Sequence, residues 1–367
     1  MIKNNRGSAL VTAVIVMLVM SILGVTLLQL SLAQTRHSIR DKNRMQAYYL
    51  ARSGVEATIA WMMDPHNNGS ALIGKSSADT QLTGSDVDGT FNVEVIGDAS
   101  ETLLIKGTGL VNNVSATAVM AVKKAASDVP VFEDTIYADT IVTLTGNTTI
   151  DGTVSAGVEV IQKGNTTITG GDPQIKQRTL PLPIFPSDPL SASDKAFNNS
   201  YELDLTTEPN QTKTFKDLEL KGGNSKLTIK TGGPGNTVNL VVNNLNLSNG
   251  EVVLSGSGRL NIFVKSQVTL DVDVNHDHNP MQLILFVGDG TSPSFIHYSG
   301  NSNFNGLIYA PDAVYSHTGN GQITGAVISG TAELKGTPFA EHDYDFDDIT
   351  FDDLPVALYT RGSWVNN

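Results

Sequence analysis

The chain has 367 residues, of which 24 are basic and 37 acidic, and a formal net charge of −13. This length allows two or three domains, the absence of cysteine excludes disulfides, thiolate metal sites and cysteine nucleophiles, and the acidic balance argues against a general nucleic-acid binder. With 34 glycines and only 6% aromatic residues, the composition favours many short strands with tight corners over a helical enzyme.

An uncharged segment occupies residues 7–35 near the start of the chain. Its centre, LVTAVIVMLVMSILGVTLLQL at 10–30, is long enough to cross a hydrocarbon layer of about 30 Å at 1.5 Å per residue. We therefore predict a membrane-spanning helix over residues 8–35. An ordinary secretory signal cut after Ala33 is the alternative, although the apolar stretch exceeds the usual length of about 7–15 residues.

Residues 36–63 continue the helical pattern but are amphipathic. Four basic residues and one acid between residues 36 and 44 form a solvated, cationic region. Asp64-Pro65 should end the helix, because a residue before proline avoids the α region. The second half of the helix is therefore expected to pack on a soluble head. The predicted contact is an apolar stripe at three- and four-residue spacing, formed by Tyr48, Ala51, Val55, Ile59 and Met62.

This arrangement resembles the type IV pilin family, in particular the PilX-type pilus assembly proteins and other minor pilins. The resemblance rests on the basic leader MIKNNRG at 1–7, on Gly7 before a long apolar helix, and on AYYLARSGVEATIAWM at 47–62. It implies that a prepilin peptidase on the cytoplasmic side cuts after Gly7 and leaves Ser8 as the new, methylated N-terminus. It also implies a single-pass protein of the cytoplasmic membrane, with the N-terminus inside and the head outside, at the cell surface once assembled.

The resemblance further implies that the partners are other pilins, the pilus assembly machinery and membrane lipid, with no nucleic acid. Two positions depart from the family pattern: the first mature residue, usually Phe, is Ser8, and the fifth, usually Glu, is Thr12. In a fibre of packed helices a carboxylate at the fifth position would pair with a buried α-ammonium, and threonine offers only a hydroxyl. This favours a low-abundance minor subunit over the major pilin. The packing positions in the filament would include Leu10, Thr12, Val14, Leu18 and Leu23.

Residues 64–124 predict a small pilin-like β-sheet. A polar loop at 64–86 precedes three alternating segments, FNVEVIG, TLLIKG and VSATAVMAV, which lie at 91–97, 102–107 and 114–122. The first follows an Asp-Gly turn signal, and Gly107-Thr108-Gly109 separates the last two. We therefore expect three antiparallel strands packed on the amphipathic half of the helix.

After a linker that begins at residue 123, the sequence acquires an internal repeat. GNTTI occurs at 146–150 and again at 164–168, and an apolar-x-Gly-x-Val/Ile pattern recurs around Gly306 and Gly325. Both spacings correspond to a period of about 18–19 residues, which is typical of the coils of a repeat architecture. We predict a β-solenoid (β-helix) over 125–355, with glycine at the corners and apolar residues alternating inward. A β-sandwich is the alternative, since it also has short strands with frequent turns.

Two further segments complete the domain organisation: a proline-rich excursion or strap at 172–200, which breaks the repeat series, and a C-terminal tail at 356–367. The predicted fold is thus α+β and mainly β. It consists of a long N-terminal helix, a small antiparallel sheet and a solenoid head.

Two clusters are candidates for metal binding. His276 and His278, two residues apart in DVNHDHNP, would share one face of a strand, but the surrounding Asn and Pro residues indicate a polar loop. Asp343, Asp345 and Asp347 in the acidic tail could chelate Ca²⁺, but the glycine of an EF-hand is missing and a solvated acidic face explains them. We therefore predict no metal and no other cofactor.

The sequence contains no G-x-S-x-G, Walker A or H-E-x-x-H motif, and the predicted function is not enzymatic. Tyr298, Tyr309, Tyr315 and His317 could form a sugar-stacking patch, although aromatic residues in strands mostly pack. We expect a membrane-anchored minor pilin-like subunit of type IV pilus assembly that displays its head for assembly, capping or adhesion. The alternatives are a β-helical adhesin or carbohydrate-active enzyme exported by an ordinary signal, and a minor pseudopilin of a type II secretion machine.

Overall fold

The computed structural model describes residues 6–64, 69–76, 89–97, 102–124, 130–276, 278–290, 292–342, 346, 349–356 and 359–365. The chain divides into two compact units. The first, which we call the stem unit, comprises Met1–Ala60, Leu72–Lys123 and Arg361–Asn367. The second, the head unit, comprises Trp61–Ala71 and Lys124–Thr360.

Within the described residues, one α-helix is followed by β-strands and short 3₁₀ turns. Helix α1 spans Arg6–Met63, and the 3₁₀ turns lie at Gly69–Leu72, Pro189–Ser191, Pro209–Gln211, Pro280–Gln282 and Phe351–Asp353. The strands are β1 Thr90–Ile96, β2 Thr102–Val111, β3 Val114–Lys124, β4 Ile136–Ala138, β5 Ile141–Gly146, β6 Thr149–Asp151, β7 Val154–Ala156, β8 Glu159–Gly164, β9 Thr167–Ile168, β10 Gln174–Ile175, β11 Lys195–Phe197, β12 Tyr201–Asp204, β13 Thr212–Thr214, β14 Asp217–Leu220, β15 Lys226–Gly232, β16 Thr237–Leu247, β17 Glu251–Gly256, β18 Arg259–Leu270, β19 Asp273–Val274, β20 Leu283–Val287, β21 Ser294–Tyr298, β22 Asn303–Gly319, β23 Gln322–Gly336, β24 Phe339–Glu341 and β25 Tyr359–Trp364.

Helix α1 is continuous from Arg6 and ends at Met63, where the sequence predicts its end. Its second half buries a stripe formed by Ala47, Ala51, Val55, Ile59 and Met62. The prediction that Tyr48 belongs to this stripe is wrong. Its side chain is 39% exposed, because the buried position is taken by its small neighbour Ala47, over which the sheet approaches the helix closely.

The stem sheet has the strand order β1-β2-β3-β25. Strands β1, β2 and β3 are antiparallel, which confirms the predicted small sheet. The fourth strand is an unexpected addition from residues predicted as a C-terminal tail. The stem sheet is therefore completed by a strand that follows the whole head in sequence.

The turn between β2 and β3 lies elsewhere than the sequence predicts. It is formed by Asn112 and Asn113, whose φ angles of 46° and 63° suit a type I′ hairpin. Gly107 and Gly109, predicted to separate the strands, lie inside β2 and face the helix. A Cβ atom at Gly109 would overlap the carbonyl oxygen of Ala47, and one at Gly107 would overlap that of Ala51. These glycines therefore permit close contact between helix and strand.

The head unit is dominated by a parallel sheet that runs from β4 to β24. The predicted repeat sets its register: Gly146 pairs with Gly164, its equivalent in the following repeat, and Gly306 pairs with Gly325 in the same way. Because these strands pair in parallel, they do not form the antiparallel sandwich that was the alternative.

The strands of the head do not stack in chain order. The late strand β23 pairs with the early strands β4 and β5, which in turn pair with β7 and β8. Strand β10 lies beyond β7, whereas β11, the next strand in sequence, pairs with β14 in the other part of the sheet. The proline-rich residues between β10 and β11 therefore carry the chain along the sheet.

A column of glycines forms one corner of the head. Gly319 pairs with Gly336, Gly336 with Gly146, and Gly146 with Gly164. Their φ angles of 105°, 103°, 92° and 96° lie in the region that L-residues rarely adopt. A Cβ atom on Gly146, Gly164 or Gly336 would also press against the backbone of its neighbour in the column. The spacing of glycines in the sequence thus reflects a stacked corner.

The head contains two apolar clusters. The inner cluster is lined by alternate residues of the strands, such as Val142, Leu144, Leu285 and Leu334. The outer cluster lies on the opposite face of some of the same strands. There, one row of side chains pairs from strand to strand in the order Val241, Phe263, Phe286, Tyr309, Ile328 and Tyr137.

Two segments cover this outer row, namely residues 178–186 of the strap predicted at 172–200, and the C-terminal cover, residue 346 with 349–356. The cover contributes buried Phe346, Ile349 and Leu354 to the outer cluster, and the strap contributes Leu180. The two segments meet at an antiparallel bridge between Pro183 and Val356. Neither segment belongs to the parallel sheet. Apolar contact with the row holds them, together with a few hydrogen bonds such as that from the Ile184 amide to the carbonyl oxygen of Pro355.

Arg178 anchors the start of the strap. Its guanidinium donates hydrogen bonds to the carbonyl oxygens of Pro130 and Val131 at 2.9 and 2.8 Å and lies 5.2 Å from the ring centroid of Tyr137. Further along, the Tyr309 hydroxyl donates to the carbonyl oxygen of Pro181 at 2.6 Å. These polar contacts fix the path of a segment that lies outside the strand ladder.

Candidate membrane and filament interface

The first half of helix α1 exposes apolar side chains in every direction. Each side chain from residue 10 to residue 42 is exposed. The best 18-residue window of this helix has a mean hydropathy of 2.7, and none of it is buried by the rest of the chain. By length and composition α1 can therefore cross a membrane. A helix that is apolar all round needs lipid or other helices as its surroundings.

The predicted packing positions lie on this exposed surface. Leu10 is 71% exposed and Leu18 is 59% exposed, and Val14 and Leu23 are similarly accessible. Thr12 is exposed on the same segment. The backbone of Gly7 and Ser8 belongs to α1, whereas residues 1–5 of the leader lie outside the described residues. The roles predicted for all these positions remain predictions.

Helix α1 changes character after residue 32. Arg36, Arg40, Lys42 and Arg44 are exposed, and the buried stripe that packs on the stem sheet begins at Ala47. Helix α1 therefore consists of three successive segments: an apolar segment, a basic segment, and a segment that packs against the stem sheet.

An open groove of about 890 Å³ lies within the stem unit, where the basic segment, with Asp41 and Arg44, meets the segment that packs against the sheet. The guanidinium of Arg52 lies 4.7 Å from the ring centroid of Trp364, which lines the groove together with Tyr48 and Tyr49. Sequence reasoning missed this groove, because Trp364 lies in the segment predicted as a tail and no periodic pattern marks it.

Of the two candidate metal clusters, the one with His276 and His278 lies in a turn. The amide of His278 donates to the carbonyl oxygen of Asn275 at 3.2 Å, as part of a tight turn, and Asn275 has a positive φ of 54°. Asp343, Asp345 and Asp347 lie outside the described residues. Among the residues that are described, no three His, Asp or Glu side chains are grouped so that they could hold a metal ion.

The aromatic residues considered as a sugar-stacking patch are instead packed in the interior. Tyr298, Tyr309, Tyr315 and His317 are fully buried. Nδ1 of His317 lies 3.3 Å from the Tyr315 hydroxyl, and its ring makes an edge contact with Tyr298 at 4.3 Å between centroids. Burial lowers the pKa of His317 to about 3.

We expect the neutral His317 to make the head sensitive to acid. Because the folded-state pKa is below the unfolded value of about 6.5, its contribution to stability is complete above pH 6.5 and is lost as the pH falls towards 3. Over that window the free energy of unfolding should fall by up to about 1.4 kcal/mol per pH unit from this group. Urea unfolding of the full chain in detergent at pH 7, 6 and 5 measures the slope.

The matched variant is His317→Phe, which keeps a ring but takes up no proton. The carboxylates of the head titrate in both proteins, so the difference between the two slopes isolates His317. The expected result is a shallower pH dependence in the variant. Parallel curves for the two proteins would contradict the prediction.

Two family models match separate parts of the chain. Residues 6–56 match the family model described as PilX N-terminal, and residues 193–349 match a domain of unknown function (DUF7305). No curated protein matches the chain.

Among solved structures, the competence-associated pilin ComZ from Thermus thermophilus aligns over 88% of this chain and 97% of its own, with 8% identity and a TM-score of 0.25. An ice-binding protein from the Antarctic ascomycete Antarctomyces psychrotrophicus aligns over 58% of this chain and 96% of its own, with 13% identity and a TM-score of 0.31. Residues 6–56 are therefore similar to the N-terminal segment of PilX proteins.

Proposed function

We propose that this chain is a membrane-anchored minor subunit that takes part in type IV pilus assembly and displays a β-rich head outside the cell. The observation that carries the proposal is helix α1, whose first half is exposed and apolar on all sides and which continues without a break into the PilX-type stem. Such a helix is suited first to lipid and then to the core of a fibre of packed helices.

Residence in the membrane precedes assembly in this proposal. The segment from residue 10 to residue 32 is about 34 Å long at 1.5 Å per residue, enough to cross a hydrocarbon layer of about 30 Å. The N-terminus lies on the cytoplasmic side and the head on the other. Other pilins then provide apolar contacts that replace lipid, and the assembly machinery draws the subunit into the filament.

Processing by prepilin peptidase creates the mature subunit. Cleavage after Gly7 exposes the α-amino group of Ser8, which is then methylated. Thr12 has no carboxylate with which to neutralise that amino group inside a fibre. A subunit of this kind is suited to a few positions in a filament, such as its tip. It is less suited to be the subunit that repeats along the whole filament.

We propose that the head is a β-solenoid. Its parallel strands pair repeat against repeat where the internal repeats are clearest, its inner cluster is lined by alternate residues, and its glycines stack at a corner. Such a domain is a rigid body for display, and its role would be assembly, capping or adhesion at the cell surface.

N-terminal sequencing of the protein from membranes and from sheared filaments tests the proposal. The expected mature N-terminus is Ser8, with a methylated amino group, in a small fraction of the filament protein. The Gly7→Leu variant should keep its leader, remain in the membrane and be missing from sheared filaments.

The matched control is Gly24→Leu, which places the same side chain in the same helix at a position with open space around it and should be processed normally. A mature N-terminus at Gln34 would indicate an ordinary signal and contradict the proposal. An intact Met1 would indicate a plain membrane anchor. Recovery as the dominant filament protein would contradict the minor role.

A further inference from the structure

A stripe of arginines follows the apolar segment of helix α1. Arg36, Arg40 and Arg44 are four residues apart, which places them on one face of the helix, and all three are exposed. Within the described residues, none of the three takes part in an ion pair with an acidic side chain. The stripe is thus a basic surface that carries no acidic partner among the described residues, with Arg44 at the edge of the groove in the stem unit.

The stripe begins with Arg36 at the height of lipid headgroups and extends about 12 Å beyond it, to Arg44. Counted from Leu32, the last residue of the apolar segment, Arg36 is about 6 Å and Arg40 about 12 Å further along the helix axis. The headgroup region of a bilayer occupies about 5–8 Å beyond each side of the hydrocarbon layer. Side chains on a helix lean towards its N-terminus, here towards the bilayer, and a long arginine can extend its guanidinium further in that direction.

The charge of this segment is opposite to that of the chain. The stripe and Lys42, with Asp41 as the only acid between residues 36 and 44, give a local charge of +3 (four bases minus one acid) in a chain of net −13. The remaining residues therefore carry −16. An anionic bilayer surface therefore repels the rest of the chain on balance and attracts this basic segment.

We propose that Arg36, Arg40 and Arg44 bind anionic phospholipid headgroups and hold the base of the stem at the membrane surface before assembly. The proposal rests on the membrane anchoring described under the proposed function. It adds a specific ligand class, acidic phospholipid. It also gives a reason for the basic stripe. Membrane orientation does not explain the stripe, because the leader on the other side of the bilayer is also basic.

Lipid retention by the full chain tests this. The protein is reconstituted in vesicles of equal phosphatidylglycerol and phosphatidylcholine, extracted in mild detergent, and its co-purified lipid is measured by mass spectrometry. We expect phosphatidylglycerol to exceed phosphatidylcholine by about threefold or more, and about 0.5 M salt to reduce the excess. The triple variant Arg36→Gln, Arg40→Gln, Arg44→Gln should retain the two lipids in equal amounts.

The matched control is Lys163→Gln, Lys221→Gln, Lys335→Gln, which removes the same charge from exposed positions of the head and should retain the wild-type excess. Equal retention by the wild type, or an equal loss in the control, would overturn the proposal. It would also be overturned if the arginine variant kept its lipid but lost co-purifying pilins, since the stripe would then bind an acidic protein surface.

A second measurement does not depend on detergent extraction. Because the chain contains no cysteine, Ser38→Cys gives a single labelling site between Arg36 and Arg40. A fluorophore there should be quenched more strongly by headgroup-labelled phosphatidylglycerol than by the phosphatidylcholine equivalent, and equal quenching would overturn the proposal. The mature N-terminus at Ser8 and recovery in sheared filaments are independent of both results, so failure of this proposal is distinguishable from failure of the proposed function.

Discussion

Replacing Gly109 by valine is expected to separate the stem sheet from helix α1. A Cβ atom at this position would overlap the carbonyl oxygen of Ala47 and come within 3.0 Å of the backbone nitrogen of Ala51. Both contacts are with helical backbone, which cannot move aside as a side chain would. We expect the stem unit to lose about 3 kcal/mol or more, at the upper end of the range for overpacked cores.

Hydrogen exchange measured by mass spectrometry locates this effect. Amides of β1, β2 and β3 should exchange faster in Gly109→Val, while those of the head unit keep their protection. The matched control is Thr108→Val, which introduces the same side chain one residue earlier, on the other, partly exposed face of β2. Unchanged protection of residues 102–111 in Gly109→Val would show that the close contact is not required.

The parts of the fold that could be predicted from the sequence are those in which one regular spacing of residues determines the structure. Helix α1 follows from a long uncharged segment and an amphipathic continuation. The register of the parallel sheet follows from the internal repeats, which place Gly146 beside Gly164 and Gly306 beside Gly325. The corner glycines were predicted for the same reason, because each repeat must turn at the same place.

Two local predictions were wrong, namely the position of the turn after β2 and the burial of Tyr48. The pair Gly107 and Gly109 matched the residue pattern of a turn, because glycine is common in turns. In the structure their lack of a side chain allows contact with the helix instead, and Asn112 and Asn113 form the turn. Spacing alone could not separate Ala47 from Tyr48, since both lie near the same helix face and only the approach of the sheet selects the smaller side chain.

Long-range features were invisible for a different reason. The pairing of β23 with β4 and the addition of β25 to the stem sheet depend on which distant segments meet, and no local pattern encodes that. The outer apolar row was hidden as well. Phe286 lies in LILFV at 283–287, a continuous apolar run in which no alternation marks a second face, because this strand is buried on both faces.

The outer row gives the second large effect. Replacing Phe286 by alanine is expected to destabilise the head by about 3–5 kcal/mol, the usual range for a buried Phe→Ala substitution. Phe286 stacks on Phe263 with ring centroids 4.9 Å apart and contacts Tyr309 edge-on at 6.0 Å. It lies at the middle of the row that holds the strap and the C-terminal cover, so its loss weakens the contact on which both segments depend.

Urea unfolding of the full chain measures the global loss, and hydrogen exchange of residues 180–186 and 349–356 measures release of the two covering segments. Phe295→Ala is the matched control, because that side chain is 46% exposed on β21 of the same sheet and should cost less than about 1 kcal/mol. If strap and cover were held mainly by Arg178 and the Tyr309 hydroxyl, Phe286→Ala would leave their exchange unchanged. We expect the opposite, because a few separate hydrogen bonds cannot replace a continuous apolar contact along the row.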